Sequence, residues 1–356
     1  MLASGRSANC VAARSKAGKE EFVMTQPTAP VVFTLDADKG FAAAVTSALA
    51  IDLSPIEDRV FPDGEYKVRP LCGVRGADVY VLSSLYRDTH ASSADKLCKL
   101  LFFIATLKDS GARRVTAVTP YLCFARKDRR TKPRDPVTTR YVAQLFEAMR
   151  VDSVVCIDVH NIAAFENAFH CETVPLDAQA LFARHFLPGI GDAPVAVVAP
   201  DPGGDKRAEL FRLRLEGALG RPVGKAVMDK FRSEGRVTGD LFAGDVRERI
   251  AIVIDDLVAG GGTLARVAAA CRANGARSVW TAATHAVFTP EAPDVLGAAP
   301  IDRLVTTNTV GADAIRDVRA ALGPRLSVID SAPLFAGAIR RLHENGSIAQ
   351  LLADGP

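Results

Sequence analysis

The chain has 356 residues, enough for two or three domains that each bury their own core, and its 48% apolar and 24% charged content is that of a folded globular protein. With 44 basic against 41 acidic residues the formal charge is only +3, which excludes the global field that holds a protein to nucleic acid or an anionic membrane, so any anion site is local. The seven cysteines are odd in number, form no C-x-x-C pair and read as reduced core thiols of a cytoplasmic protein, while no apolar run approaches the roughly 18 residues of a membrane-spanning helix.

Residues 1–30 carry Arg6, Arg14, Lys16 and Lys19 among small polar side chains and lack an apolar segment, so they read as a disordered tail and not as a secretory signal. From Val31 onward β-branched runs recur: VVFTL at 31, DVYVL at 78, RVTAV at 114, SVVCIDV at 153, VAVVA at 195, IAIVID at 250, SVWTAAT at 278 and RLVTT at 303. Most are continuously apolar, the pattern of strands covered on both faces of a mainly parallel sheet. Helical spacing between them places Val142, Leu145, Phe146 and Met149 on one face of a helix opened by Pro136. The same spacing places Leu264, Val267, Ala268 and Cys271 on another helix, stopped near Gly275. VPLDA at 174–178 predicts a turn and the boundary between two α/β domains, 31–176 and 177–356.

In such sheets function gathers in the loops at the carboxyl ends of the strands. FPDGE at 61–65 reads locally as a simple turn. After RVTAV comes Phe124-Ala125-Arg126-Lys127-Asp128-Arg129-Arg130-Thr131-Lys132, a basic loop whose arginines, with Tyr121 and Phe124, suggest a platform for a base and its phosphates. His160 follows SVVCIDV, either as a metal or phosphate contact or as a satisfied hydrogen-bonding residue. Asp201 precedes Gly203 and Gly204, either as a Mg²⁺ ligand or as the cap of a turn. Lys230 and Arg232 lie in a stretch rich in glycine, serine and charge that reads as a mobile flap, suited to neutralising a transferring phosphoryl group. After IAIVI, the adjacent Asp255 and Asp256 suit a sugar diol or a metal, and Gly260, Gly261, Gly262 and Thr263 form a phosphate cradle at a helix N-terminus. On this reading Gly261→Val crowds the cradle and raises KM for a phosphorylated sugar. No G-x-x-x-x-G-K-[ST] occurs and no G-x-G-x-x-G follows a strand, which disfavours P-loop kinases and Rossmann dehydrogenases.

Over residues 31 to about 352 these pieces, in order, resemble the ribose-phosphate diphosphokinase (PRPP synthase) family. FPDGE resembles that family's F-S-D-G-E, PYLCFARKDRR its P-Y-x-x-Y-A-R-Q-D-R, and DVHN its D-L-H; PDPGGDKRA, DKFR and THAVF resemble P-D-x-G-G-x-x-R-A, D-K-R-R and T-H-x-V-F, and AIRRLHENGSI its ending. The resemblance implies two tandem phosphoribosyltransferase-like (type I) domains and transfer of the diphosphoryl group of MgATP to the 1-hydroxyl of ribose 5-phosphate. It implies Arg126, with Lys127 and Asp128, at the nucleotide phosphates, and His160 and Asp201 at Mg²⁺. It also implies Lys230 and Arg232 at the transferring group, Asp255 and Asp256 at the ribose hydroxyls, and Gly260 to Thr263 at the 5-phosphate. The resemblance also implies Phe61, Asp63 and Glu65 at the adenine of a neighbouring subunit, and with them a homo-oligomer with a shared nucleotide site. Ala259 and Gly260 stand where the regulated class has Asp and Thr, so the loop more closely resembles the plant-type class II, whereas ARKDRR resembles the regulated class with Lys127 replacing Gln. Two rival readings stand beside it: a non-catalytic regulatory partner that shares the fold, disfavoured by Lys230, Arg232, His160 and Asp201 together, and a phosphoribosyltransferase that consumes PRPP, disfavoured by the basic ARKDRR loop and the duplicated half.

Overall fold

Continuous β-branched runs separated by amphipathic stretches can bury themselves only as covered strands. The computed structural model describes residues 29–233 and 236–354; residues 1–28, with the expected tail, and the side chains of 230–240 and 354 lie outside that description. From the amino end the chain forms β1 (Val31–Thr34), α1 (Gly40–Leu49), β2 (Ile56–Val60), β3 (Tyr66–Pro70), β4 (Asp78–Leu82), α2 (Ser93–Asp109), β5 (Arg114–Val118), α3 (Thr138–Ala148), β6 (Ser153–Ile157), α4 (Ile162–Ala168) and β7 (Glu172–Leu176). It continues with α5 (Gln179–Ile190), β8 (Val195–Ala199), α6 (Asp205–Leu219), β9 (Gly224–Ser233), β10 (Arg236–Gly244), β11 (Ile250–Val258), α7 (Gly262–Ala273), β12 (Ser278–Ala286), α8 (Ala292–Ala298), β13 (Arg303–Thr307), α9 (Ala312–Leu322), β14 (Leu326–Ile329), α10 (Ala332–Glu344) and α11 (Ile348–Asp354).

The first sheet has the order β1-β4-β5-β6-β7 and is parallel throughout. The second has the order β10-β9-β8-β11-β12-β13-β14, parallel except for the β9–β10 ladder at one edge. β2 and β3 form a separate antiparallel hairpin with the FPDGE turn at its tip. The class is therefore α/β with mainly parallel sheets. No helix among the described residues is long and apolar enough to cross a membrane, and six described cysteines are free thiols, Cys10 lying outside the description.

Three expectations change. Residues 174–176 of the VPLDA stretch belong to β7, which pairs Leu176 with Ile157; Pro175 misleads because proline is tolerated on an edge strand, and β7 is the sheet's edge. On α3, Leu145 is 47% exposed and the buried face is Thr139, Val142, Ala143 and Phe146, so the stripe is rotated by one position and uses a small residue. The flap at 229–245 contains most of a β-ladder. The α7 stripe is buried as read from the sequence.

One face of the first sheet is covered within the first half, where Phe33, Val79, Phe103, Val115 and Phe146 share a core. The other face shares a core with the end of the chain: Val32, Tyr80 and Leu82 cluster with Phe335, Ile339 and Leu351. There α10 packs on α1, with Phe41 and Phe335 edge-to-face at 5.5 Å. Buried Asp78 accepts from Arg114 Nε at 2.7 Å and lies 2.8 Å from His343 Nδ1, which fixes α10 to β4 and β5.

Candidate active site

The carboxyl end of β6 meets the carboxyl ends of β11 and β12 in a small cleft lined by Tyr121, Arg126, Asp158, His160, Asp256 and His285, among others. Asp158 leaves β6 in the left-handed region, φ +42°, a conformation that aspartate tolerates better than most residues. Its carboxylate accepts from Ala178 N–H at 3.2 Å and from the Thr284 hydroxyl, and its own N–H donates to Leu176 at 2.9 Å. Burial, followed by the nearby charge of Asp177, outweighs these contacts and raises its pKa to about 6. This turn carries His160 across to the second half, where Nδ1 lies 2.8 Å from Asp256 Oδ2.

Asp256 is buried beside Asp255 at the end of β11, and Arg207 on α6 reaches both, with Nη1 at 3.4 Å from Asp255 and 3.5 Å from Asp256. Burial alone would raise Asp256, but the His160 hydrogen bond and the Arg207 charge outweigh it and hold the carboxyl well below the usual range. Asp255 moves the opposite way, raised by burial and then by the charge of its neighbour. His160 is raised, chiefly by its hydrogen bond to Asp256. The site thus holds one firmly ionised carboxylate, one carboxyl that takes a proton readily, and a histidine drawn toward the cation.

Beyond β11 the chain turns into α7. Gly261 has φ +79°, and a Cβ there would lie 2.6 Å from Leu296 Cγ; one on Gly260 would lie 3.1 Å from Glu291 Oε1. A Cβ on Gly262, the first residue of α7, meets nothing within 4 Å. Of the three glycines, only Gly262 thus borders open space, and Gly261 is required by backbone conformation and by packing against α8. The expectation that Gly261→Val crowds a phosphate is corrected accordingly. Thr263 follows in the first turn of α7.

Asp201 caps the turn after β8, its Oδ1 accepting from Gly204 N–H at 3.0 Å. In the basic loop Arg126 lines the cleft with His160 and Asp256. Lys127 instead ties the loop to itself, 2.6 Å from Asp135 Oδ2 and 3.0 Å from Thr131 Oγ1. Asp128 accepts from Asn161 Nδ2 at 2.6 Å, while Asn161 Oδ1 caps α4 through Ala164 N–H. Of the two aromatic residues assigned to a base platform, Phe124 is 43% exposed with φ +59°, whereas Tyr121 packs edge-to-face on His285 at 5.1 Å.

Phe61, Asp63 and Glu65 lie on the hairpin tip, outside this cleft. There Phe61 N–H donates to Glu65 O at 2.7 Å, Glu65 N–H donates to Asp63 Oδ1 at 3.1 Å, and Arg59 covers the Phe61 ring. Lys230 and Arg232 lie on β9, in register with Asp240 and Val237 of β10; their side chains are outside the described residues. Arg207, Thr284 and His285 are the residues that local sequence reasoning missed. Only their positions inside PDPGGDKRA and THAVF hinted at them. Among the described residues no three His, Cys, Asp or Glu side chains converge as a metal cage. A cavity of about 260 Å³ lies elsewhere among the described residues, between the α1 and α9 N-termini, and none of the predicted site residues lines it.

Comparison with known proteins bears on this geometry. Residues 30–149 match the model of the N-terminal domain of ribose phosphate pyrophosphokinase, and residues 238–353 match the phosphoribosyl synthetase-associated domain. The chain is 34% identical over 322 residues to the ribose-phosphate pyrophosphokinase of Caldanaerobacter subterraneus subsp. tengcongensis, covering 90% of this chain and 96% of that one. It is 34% identical to the Granulibacter bethesdensis protein of the same name, covering 90% and 99%. It is 31% identical to the chloroplastic ribose-phosphate pyrophosphokinase 1 of Arabidopsis thaliana, covering 90% and 76%. The crystal structure of phosphoribosylpyrophosphate synthetase from Mycobacterium smegmatis superimposes with a TM-score of 0.79 at 31% identity, over 89% of this chain and all of that one. The architecture is thus the phosphoribosyltransferase-like type I fold of that synthetase.

Proposed function

The chain belongs to the ribose-phosphate pyrophosphokinase family, and we propose that it transfers the diphosphoryl group of ATP to ribose 5-phosphate, giving PRPP and AMP. The observation that carries this reading is the contact of His160 with Asp256. It joins the loops read as nucleotide-binding in the first half to the carboxylate pair and glycine loop of the second. In the reaction the 1-hydroxyl oxygen of ribose 5-phosphate bonds to the β-phosphorus, the β-phosphorus to α,β-bridging oxygen bond breaks, AMP leaves, and the hydroxyl proton passes to solvent or to a nearby carboxylate. Such transfers need little covalent help, and positioning with charge stabilisation does most of the work.

Asp255 and Asp256 orient the ribose hydroxyls as acceptors, with Arg207 and His160 keeping Asp256 ionised. Gly260, Gly261, Gly262 and Thr263 receive the 5-phosphate at the α7 N-terminus, Gly262 leaving the room and Gly261 the turn. Arg126 faces the nucleotide phosphates, and Asp128 holds Asn161 beside His160; Lys127 acts by shaping the loop. Lys230 and Arg232 neutralise charge that develops on the transferring group. Phe61, Asp63 and Glu65 serve the adenine of a neighbouring subunit in a homo-oligomer. His160 and Asp201 would hold Mg²⁺, Asp201 through its second carboxylate oxygen and His160 through Nε2 or a metal-bound water, since their described hydrogen bonds use Oδ1 and Nδ1 and this cation keeps several waters. When bound, it neutralises charge on the β- and γ-phosphates. Residues 31–176 and 177–356 are read as the two domains, and the cytoplasm as the compartment.

Purified protein with Mg²⁺, ATP and ribose 5-phosphate, followed by chromatography, should give AMP and PRPP in equal amounts. No AMP despite measurable ATP binding overturns the reading in favour of a regulatory partner. Release of diphosphate that depends on an added base overturns it in favour of a phosphoribosyltransferase. Assays with and without inorganic phosphate, and with other nucleoside triphosphates, assign the regulatory class of the altered ribose-phosphate loop.

A further inference from the structure

We propose that Thr284 and His285, adjacent residues at the carboxyl end of β12, are positioning residues: they clamp the end of β6 and so set His160 against the carboxylate pair. The inference rests on the reading of the cleft as a diphosphoryl-transfer site and extends it to two residues that act through the turn after β6.

Both side chains cross from the second sheet to the first. Thr284 donates its hydroxyl proton to Asp158, and His285 Nε2 lies 3.0 Å from the carbonyl oxygen of Ile157. A carbonyl only accepts, so Nε2 carries the proton and Nδ1 accepts from the Thr309 hydroxyl at 3.0 Å. The ring is buried and neutral, and Tyr121 packs edge-to-face with it at 5.1 Å. Thr307 holds the clamp from behind, its hydroxyl donating to Thr284 O at 2.8 Å.

The place of the clamp in the chain gives it its function. Ile157 and Asp158 are the last strand residue and the first turn residue before His160, with only Val159 between. Asp158 also holds a left-handed backbone, a conformation that persists where the surroundings over-determine it. Thr284, Ala178 and Leu176 supply that determination. A site that works by positioning is sensitive to shifts of about 1 Å, so loosening the turn lowers turnover even when the fold survives.

The test compares Thr284→Val, Thr284→Ser, His285→Leu and His285→Gln with the parent protein. It reads kcat and KM from AMP and PRPP formation, thermal melting, and hydrogen–deuterium exchange of residues 157–164. Thr284→Val and His285→Leu should lower kcat about tenfold or more, leave KM for ribose 5-phosphate within about twofold, and speed exchange in that segment alone. Thr284→Ser and His285→Gln keep a hydroxyl and an N–H donor and should restore kcat and protection. Unchanged kcat per folded molecule in Thr284→Val, or equal loss in Thr284→Ser, overturns the inference. If His285→Leu does not fold, the near-isosteric Thr284 pair decides. If the parent protein forms neither AMP nor PRPP, the enzymatic reading fails instead. In that case unchanged exchange at 157–164 in Thr284→Val still overturns the clamp, and faster exchange there supports it.

Discussion

Gly261 and Gly262 are neighbours with different duties. The first has a positive φ and sits against Leu296, so Gly261→Val should destabilise the fold, read as a fall in the urea midpoint. The second opens onto space, so Gly262→Ala should leave the melting temperature within about 2 °C and raise KM for ribose 5-phosphate several-fold. A normal KM in Gly262→Ala would mean that the phosphate sits elsewhere. His285 yields a prediction about acid. Burial lowers its pKa from 6.5 to about 4, with Asp256 pulling it up and Arg207 pushing it down. The unfolded chain takes up this proton as pH falls through 6.5, while the folded chain refuses it until about 4. The stability is therefore full above 6.5 and is lost across that window, by on the order of 3 kcal/mol. His285→Gln lacks this group, so its unfolding free energy should depend less steeply on pH between 7 and 4.5 than that of the parent protein.

At the level of elements, the central strands were legible because covered parallel strands are continuously apolar, and DVYVL, RVTAV, VAVVA and RLVTT occupy strands with the same bounds. The peripheral ones were not. β7 contains Glu172 and Pro175 and lies at an edge, β14 is four residues long, and the hairpin strand YKVRP alternates with exposed charges. The site divides in the same way. Loop composition pointed to Arg126 and Asp256, which the structure brings to one cleft, because unusual residue types gather in one short stretch. Arg207 and His285 act on partners 49 and 128 positions away, which local spacing does not encode. The β9–β10 ladder carries a prediction of its own. If Lys230 meets charge that exists only at the transition state, Lys230→Ala should lower kcat by about two orders of magnitude or more with nucleotide KM nearly unchanged. An unchanged kcat would remove this ladder from the chemistry.

For the whole molecule, two halves with similar rhythm suggest two self-sufficient cores, yet one face of the first sheet shares its core with residues near the end of the chain. Apolar periodicity shows that a face is covered and does not say by which element. Asp78 joins these parts. Burial alone would raise its pKa, but Arg114, His343 and Tyr80 outweigh it and hold the carboxyl below the usual range. A group depressed in this way contributes stability above the ordinary carboxylate pKa and loses it as pH falls through the folded value. Asp78→Asn should cost about 3 kcal/mol at neutral pH, because Arg114 is left without its counter-charge, and should flatten the acid limb of the stability curve. Urea titrations at pH 7 and 3 measure both effects; a loss below about 0.5 kcal/mol at pH 7 would place the pair among ordinary surface bridges.

The packing of α10 on α1 also orders events during synthesis. Helix α1 is among the first described elements to leave the ribosome, but Phe335, which meets Phe41, follows 294 residues later. At typical translation rates of about 5–20 residues per second, that is an interval of roughly 15–60 seconds. Throughout it Val32, Val45 and Phe41 lack the part of their cover that α10 supplies, and a nascent chain stalled before residue 332 presents that surface to chaperones and proteases.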